Sequence, residues 1–189
     1  MSGRAKNARY AIEWPSMSSS RGRVPAAVLP GLLVPSVRAE VVTGANLSPM
    51  TDTDAFPQDT AGWEQAATGT LIERTGIVLT EVGARTTRGR MPVAGNTQPA
   101  GLLHGGATAV LAETLGSVAA QQHAGPGRAA VGIELNVTHH RGVRSGQVHG
   151  VATALHLGRS TATYEITVTD DADRRVATAR LTCMVLAGR

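Results

Sequence analysis

The chain has few aromatic residues and one cysteine, and both shortages restrict the fold it can adopt. Aromatic residues make up 3% of its 189 positions, so the core must be built from aliphatic side chains. The single cysteine, Cys183, excludes an internal disulfide framework and is typical of a reducing compartment. No apolar run reaches the roughly 18 residues that a membrane-spanning helix needs. We therefore expect a cytoplasmic protein with an aliphatic core and no membrane partner.

The formal net charge of +4 comes from the first part of the chain. Before Met50 there are six basic and two acidic residues, whereas the twelve arginines after it are balanced by twelve Asp and Glu. The basic character therefore gives no indication of a nucleic-acid-binding face on the rest of the chain, and aromatic residues do not interleave with basic ones. We expect no nucleic-acid partner.

Residues 1–60 differ in composition from the remainder and show neither a helix nor a strand period. The apolar run from Val24 to Val34 follows arginines, as in a signal peptide, but prolines interrupt it and no small-residue cleavage site follows. We interpret residues 1–60 as a leader that is disordered or reflects a translation start placed too far upstream, with Met50 as the alternative start. Residues 61–189 then form the folded domain.

Apolar periodicity predicts an α+β domain organised around one long helix. Trp63 to Arg74 has the spacing of a short helix, and Gly76 to Val82 and Arg85 to Val93 have strand patterns. The apolar stretch after the His104-Gly105-Gly106 turn predicts the long helix, which ends near Gln121 to Gly125. Four strand patterns with short connections follow: Ala129 to Arg141, Gly146 to Leu157, Ser160 to Thr169 and Arg174 to Leu186. This order favours an antiparallel sheet wrapped around the long helix.

Glu113 is the one carboxylate inside the apolar pattern of that helix. An acid among residues such as Ala112 and Leu115 is costly to bury unless it is paired or functional. The alternative is an acid exposed to solvent on a helix face. Ser117 lies one turn further on the same face and could hold Glu113 or a water molecule. It could equally be a small core residue that satisfies its hydroxyl locally.

The start of the long helix is suited to binding a ligand oxygen. A helix N-terminus exposes unpaired N–H groups, and Gly105 and Gly106 have no side chain to keep a ligand away. Such an arrangement forms an oxyanion hole in acyl-transfer enzymes. Lipase-type hydrolases also use His-Gly-Gly, but they need a Gly-x-Ser-x-Gly elbow that the chain lacks. His104 could also be simply a helix-capping residue.

The spacing of these groups predicts a dimer. Glu113 follows His104 by nine residues, which is about 180° around a helix and about 13 Å along it. Glu113 therefore cannot reach a carbonyl held at Gly105 of its own chain. If both act on one substrate, each site combines residues of two subunits.

The pair His139-His140 is the sequence feature closest to a metal site. Adjacent residues of a strand point to opposite faces, and no cysteine or carboxylate spacing completes a ligand set. We expect neither a metal nor a cofactor.

Three ordered motifs resemble those of hotdog-fold acyl-CoA thioesterases of the enterobactin-proofreading and 1,4-dihydroxy-2-naphthoyl-CoA types. They are Gln98 to Ser117, Val131 to Arg141 and Leu155 to Arg159, and the resemblance covers about Trp63 to Arg189. It implies the hotdog fold, an antiparallel sheet around one central helix. It also implies hydrolysis of an acyl-CoA with an aromatic acyl group such as 1,4-dihydroxy-2-naphthoyl or hydroxybenzoyl, by a homodimer at minimum and an expected homotetramer.

The resemblance further implies roles for individual residues. Glu113 is the general base or the nucleophile, Gln98 and the Gly105 N–H polarise the thioester carbonyl, His104 orients that region, and Ser117 positions water. The residues implied to line the acyl or pantetheine channel are Gly132, His139, His140 and Arg141. Those implied to hold the nucleotide end of CoA are His156, Gly158, Arg159 and Ser160. Arg141 and Arg159 follow strand ends, where they grip phosphate or are merely solvated turn residues.

Two positions depart from the family pattern, and two other functions stay open. Ala100 stands where relatives carry a bulkier Phe, a change that reshapes the acyl pocket. Gly142 stands where they often carry Pro. A non-catalytic acyl-CoA-binding module is an alternative on the same fold. A hotdog hydratase would need an Asp/His dyad in a motif that we do not find.

Overall fold

The computed structural model describes residues 56–187, so most of the predicted leader lies outside the described residues. Two short helices, α1 (Thr60–Ala66) and α2 (Leu71–Thr75), precede strands β1 (Val78–Glu81) and β2 (Thr86–Pro92). The long helix α3 (Gly105–Ala124) follows. The chain then forms four more strands: β3 (Ala129–His139), β4 (Gln147–Leu157), β5 (Thr161–Asp170) and β6 (Arg175–Leu186). The predicted order of elements is confirmed except at the first helix.

The prediction of one helix from Trp63 to Arg74 is wrong, because two helices occupy this stretch. Gly69 has a φ of 76°, a conformation that interrupts a right-handed helix and suits glycine. Thr70 then caps α2, since its hydroxyl oxygen accepts a hydrogen bond from the Ile72 N–H at 3.3 Å. The apolar spacing continues across this break, so periodicity alone does not reveal it.

The six strands form one antiparallel sheet in the order β1-β2-β4-β5-β6-β3. Hairpins join β4 to β5 and β5 to β6, whereas the connection from β2 to β3 carries α3 across the sheet. This crossover places β3 beside β6 at the sheet edge opposite β1. Helix α3 therefore contacts strands β2 to β6 along one face.

Helix α3 is apolar on most of its sides and forms the centre of the core. Leu111, Leu115 and Val118 are among its buried residues, as expected of a helix that the sheet encloses. The sheet approaches closely at Gly89, where a methyl group would lie 2.9 Å from Leu115 Cδ2. The predicted wrapping of the sheet around this helix is confirmed. Among residues 56–187, the structure has no helix with the length and apolar character needed to cross a membrane.

Candidate active site

The Glu113 carboxylate lies on the side of α3 that faces β3 and β6. The Ser117 hydroxyl donates a hydrogen bond to Glu113 Oε1 at 3.1 Å across one helical turn. Gly132 of β3 lies against the same oxygen so closely that a Cβ at this position would clash with it. Glu113 is partly buried, which is unlike the solvated helix-face acid that the sequence left as an alternative.

Strand β3 is irregular where it passes Glu113. Gly132 pairs with Cys183 of β6 and the next pair is Glu134 with Thr182, so Ile133 is the additional residue of a β-bulge. Bulges are common next to active sites, where they redirect the strand.

Cys183 lies buried near Glu113 and Ser117. Burial, and to a smaller extent the Glu113 charge, raises the pKa of this thiol to about 11, while a hydrogen bond with Ser117 partly opposes the shift. The thiol is therefore protonated near neutral pH, which leaves it a poor nucleophile.

A second group of predicted residues lines a cavity of about 350 Å³ at the N-terminal end of α3. This volume lies within the range of small-molecule sites. The predicted residues in its wall are Gln98, Gly105, His139, His140 and Arg141. Leu102, Leu103, Thr108, Gly142 and Val176 complete the lining.

The cavity contains a free backbone donor. His104 is the N-cap of α3, and its Nδ1 accepts a hydrogen bond from the Gly106 N–H at 2.8 Å. The Gly105 N–H donates no hydrogen bond within residues 56–187. The His139 ring packs on Gly105, where a methyl group would lie 3.0 Å from His139 Nε2. A donor at the positive end of a helix dipole is thus available to an anionic oxygen.

Gln98 is carried by a short hairpin between β2 and α3. The Gly101 N–H donates to the Gln98 carbonyl at 2.8 Å, and Gly101 adopts a φ of 73° that suits glycine. The Gln98 N–H donates to the Leu102 carbonyl at 2.8 Å, and Thr97 bridges Leu103. This hairpin presents Gln98 to the cavity that also contains Gly105.

His139 and His140 line the same cavity, whereas the sequence predicted opposite faces. Because β3 ends at His139, strand alternation does not extend to His140. His140 Nε2 instead lies 3.0 Å from Thr178 Oγ1. No cluster of three or more potential metal ligands occurs in the part of the chain that the structure describes.

The other predicted substrate-binding residues lie at the opposite end of α3. His156, Gly158, Arg159 and Ser160 belong to β4 or to the β4–β5 connection. His123 Nε2, in the last turn of α3, lies 2.8 Å from the Gly158 carbonyl oxygen. Since a 20-residue helix is about 30 Å long, this hairpin is far from the Gln98 cavity of the same protomer.

The structure thus separates the predicted residues of one protomer into three groups. Glu113 follows Gly105 by eight residues, which is about 12 Å along a helix, and it does not line the Gln98 cavity. It contacts Gly132 instead. Within one protomer, the predicted residues therefore do not meet in a single pocket.

Some residues that shape the cavity and the Gln98 hairpin were not predicted from the sequence. Thr108 and Val176 line the cavity, and Thr178 contacts His140. Asn96 anchors the Gln98 hairpin, with its side-chain amide donating to the Thr75 carbonyl at 2.7 Å. The Gly95-Asn96 pair is typical of a loop, but it does not predict which groups the Asn96 side chain binds.

Residues 100–177 match the family model of the thioesterase superfamily. The proofreading thioesterase EntH of Cronobacter sakazakii is 48% identical over 119 residues, which cover 62% of this chain and 87% of that protein. The chain belongs to the thioesterase superfamily, and its sheet around one central helix is the hotdog fold. It is a thioester hydrolase.

Solved structures of thioesterases share this architecture. Thioesterase HI1161 from Haemophilus influenzae has a TM-score of 0.65 and 32% identity, over 68% of this chain and 90% of that chain. A mutant of thioesterase PA1618 from Pseudomonas aeruginosa has a TM-score of 0.64 and 36% identity, over 68% of this chain and 94% of that chain. The resemblance therefore extends over the domain that contains α3 and the sheet.

Proposed function

We propose that this thioester hydrolase cleaves acyl-CoA substrates with an aromatic acyl group, in a homodimer whose two sites each combine residues of both protomers. The main observation behind this proposal is that two chemically complementary groups lie apart in one protomer. One is the Glu113 carboxylate held by Ser117, and the other is the free Gly105 amide beside Gln98. Thioester hydrolysis needs a base or nucleophile and an oxyanion donor at the same carbonyl.

In the proposed reaction, the thioester carbonyl oxygen accepts hydrogen bonds from the Gly105 N–H and the Gln98 side-chain amide. Glu113 either removes a proton from water as the water attacks the carbonyl carbon, or attacks that carbon itself to form an anhydride that water then opens. Either route breaks the carbon–sulfur bond, consumes one water and releases the acid and the CoA thiol. Ser117 orients Glu113 through its hydrogen bond.

The exposed edge of the sheet supports the dimer. Val131 and Ile133 of β3 are 47% and 54% exposed, although both are apolar. On the neighbouring strand β6, Met184 and Leu186 are 43% and 42% exposed. An apolar edge strand left open invites pairing with another strand. A second copy of β3 supplies both hydrogen-bonding groups and an apolar surface.

Antiparallel pairing of two β3 strands brings the separated groups together. Along one strand, Gly132 and His139 are seven residues apart, or about 23 Å at about 3.3 Å per residue. A twofold axis near Leu135, close to the middle of the strand, sets Gly132 opposite the partner's Thr138. Glu113, which contacts Gly132, then lies near the partner cavity that contains His139.

Pairing of the two β3 strands also brings the β4–β5 hairpin of one protomer to the site of the other. Helix α3 runs back along β3, since Gly105 contacts His139 and the Gln121 side chain accepts a hydrogen bond from the Ala130 N–H at 2.9 Å. Antiparallel β3 strands therefore imply antiparallel α3 helices. With the α3 helices antiparallel, the β4–β5 hairpin of one protomer approaches the Gln98 cavity of its partner. We propose that this hairpin, through residues His156, Gly158, Arg159 and Ser160, holds the nucleotide end of CoA.

The channel for the acyl chain, the assembly of dimers and the location of the protein complete the proposed function. In the proposed dimer, Gly132 and the partner's His139, His140 and Arg141 line the acyl or pantetheine channel. The cavity volume of about 350 Å³ accommodates an aromatic ring. Two dimers form a homotetramer. The buried free thiol of Cys183 suits the reducing cytoplasm.

A mixing experiment tests the composite site. Gln98→Ala and Glu113→Ala homodimers should each keep about 1% of wild-type turnover or less, because both of their sites lose one group. Denaturing and refolding an equal mixture gives half heterodimers, and each heterodimer has one intact site if the site spans two protomers. We expect about a quarter of wild-type turnover to return. A site contained within one protomer gives no recovery, which would overturn the composite arrangement.

A thiol-release assay over a panel of acyl-CoA esters tests the substrate class. We expect benzoyl-CoA and hydroxybenzoyl-CoA to give a higher kcat/KM than hexanoyl-CoA. Equal or faster release from the aliphatic ester argues against the aromatic class. Binding of CoA esters without any thiol release argues against hydrolysis of CoA thioesters. Sedimentation equilibrium on the same protein measures whether it forms dimers or tetramers.

A further inference from the structure

We infer that Asn96 is a positioning residue that holds the Gln98 hairpin and the Gly105 amide in register for the thioester carbonyl. This inference rests on the proposed roles of Gln98 and Gly105. Asn96 itself is not among the residues that line the cavity, so it acts through the backbone that it anchors.

The side chain of Asn96 joins three parts of the fold. Its Nδ2 donates to the Thr75 carbonyl at 2.7 Å and to the Pro92 carbonyl at 2.9 Å. Thr75 is the last residue of α2, and Pro92 is the last residue of β2. One amide group therefore fixes the start of the hairpin to a helix end and a strand end.

The backbone of Asn96 connects the anchored hairpin to the start of α3 through hydrogen bonds. The His104 N–H donates to the Asn96 carbonyl at 2.8 Å, and the Asn96 N–H donates to the Val93 carbonyl at 3.0 Å. His104 directly precedes Gly105, and Gln98 lies two residues after Asn96. Both proposed oxyanion donors are thus within two residues of a hydrogen bond made at Asn96.

The chemistry of the contact requires two N–H donors at one point. A side-chain amide supplies both donors, an aspartate of the same shape supplies none when ionised, and an alanine leaves both carbonyls without this partner. Loss of the anchor frees the hairpin to shift relative to α3. Displacement of a positioned donor by about 1 Å is enough to lower turnover by on the order of 100-fold.

A double-mutant cycle separates positioning from a general structural role. The variants are Asn96→Ala, Gln98→Ala and the double variant, assayed for kcat and KM by thiol release. We expect Asn96→Ala to lower kcat by about 10-fold to 100-fold. In the Gln98→Ala background, the same substitution should lower kcat much less, because one of the donors it positions is already gone. Effects on kcat that multiply fully in the double variant would overturn the inference.

Gln121→Ala provides a matched control at the other end of α3. The Gln121 side chain also bridges a loop, donating to the Arg128 carbonyl at 2.8 Å and accepting from the Ala130 N–H at 2.9 Å. We expect this variant to lower the melting temperature but keep kcat within about twofold, since no oxyanion donor depends on it. If Gln121→Ala lowers kcat as much as Asn96→Ala does, the effect is a general loss of rigidity and the inference fails.

Asn96→Asp is the second variant, and it keeps the shape of the side chain without its two donors. It decides the question if Asn96→Ala does not fold, and kcat should again fall by about 10-fold or more. If both variants fail to fold, Asn96 serves the fold as a whole and the inference is rejected. If wild-type protein releases no thiol from any ester, the proposed function fails. If the wild type is active and the Asn96 variants are fully active too, the inference about Asn96 fails and the proposed function stands.

Discussion

The Ser117 hydroxyl and the Glu113 carboxylate are joined by a 3.1 Å hydrogen bond across one turn of the central helix. The same carboxylate oxygen lies against Gly132, where the edge strand forms a bulge. A single acid is therefore fixed between a helix and a strand, at the position where the proposed dimer places the partner's oxyanion donors.

Replacing Glu113 by alanine tests the central role. We expect kcat to fall by about 10² to 10⁴, the usual contribution of a positioned general base, with the melting temperature nearly unchanged. Glu165→Ala is the matched control, because Glu165 is an exposed acid on β5. Turnover of the Glu113 variant within tenfold of wild type would refute the assignment.

Ser117→Ala removes the hydrogen bond to Glu113 without touching the carboxylate. A hydrogen bond to a charged group contributes about 1.5–3 kcal/mol, so kcat should fall by about 10-fold to 100-fold. Ser117→Thr keeps a hydroxyl and should retain more activity than the alanine variant. Equal activity of the alanine and threonine variants would show that the hydroxyl contributes nothing to turnover.

Gln98→Ala removes one of the two proposed oxyanion donors. Loss of such a donor lowers kcat by about 10² to 10³, so this variant should lose less activity than Glu113→Ala. The effect should appear in kcat more than in KM. Gln58→Ala is the control, since Gln58 is an exposed glutamine that bonds the Phe56 carbonyl. A change confined to KM would instead indicate that Gln98 binds substrate without stabilising the transition state.

Gly132→Ala introduces a methyl group against Glu113 Oε1. The carboxylate must move, and we expect kcat to fall on the order of 100-fold while the oligomeric mass stays the same. Thr153→Ala changes an exposed side chain of β4, away from the edge strand, and should leave kcat nearly unchanged. If Gly132→Ala keeps full activity, the observed position of Glu113 is not the reactive one.

Asp170 gives a prediction about stability at low pH. The Arg174 side chain, followed by the Arg174 and Ala172 backbone N–H groups, lowers the pKa of Asp170 from 3.8 to about 2. A group whose pKa is lowered by folding stabilises the protein above its unfolded pKa, and this stabilisation is lost as the pH falls from about 4 to about 2.

Asp170→Asn should therefore lower the melting temperature at pH 7 and flatten its decline between about pH 4 and about pH 2. Thermal melts followed by circular dichroism across this range measure both effects. Asp173→Asn, at an exposed aspartate in the same turn, is the control and should keep the wild-type pH dependence. If the melting temperature of the Asp170 variant declines with falling pH as steeply as that of the wild type, protonation of Asp170 does not contribute to the loss of stability.

The sequence by itself determined the order of the elements and the central helix. Strand alternation and helical spacing depend on local side-chain geometry, so they can be recognised in the sequence without a structure. The same local logic marked Glu113 as an isolated acid and Gly105 as an accessible amide. It failed at Gly69, where a single left-handed glycine divides a continuous apolar pattern into two helices.

Only the tertiary structure decided which distant residues meet. It placed Gly132 and Cys183 beside Glu113, united Gln98 with His139 and His140, and made Asn96 the anchor of the Gln98 hairpin. These contacts depend on strand register, on a β-bulge and on the path of a crossover between β2 and β3. Each is set by packing between segments far apart in the chain, which local periodicity does not encode.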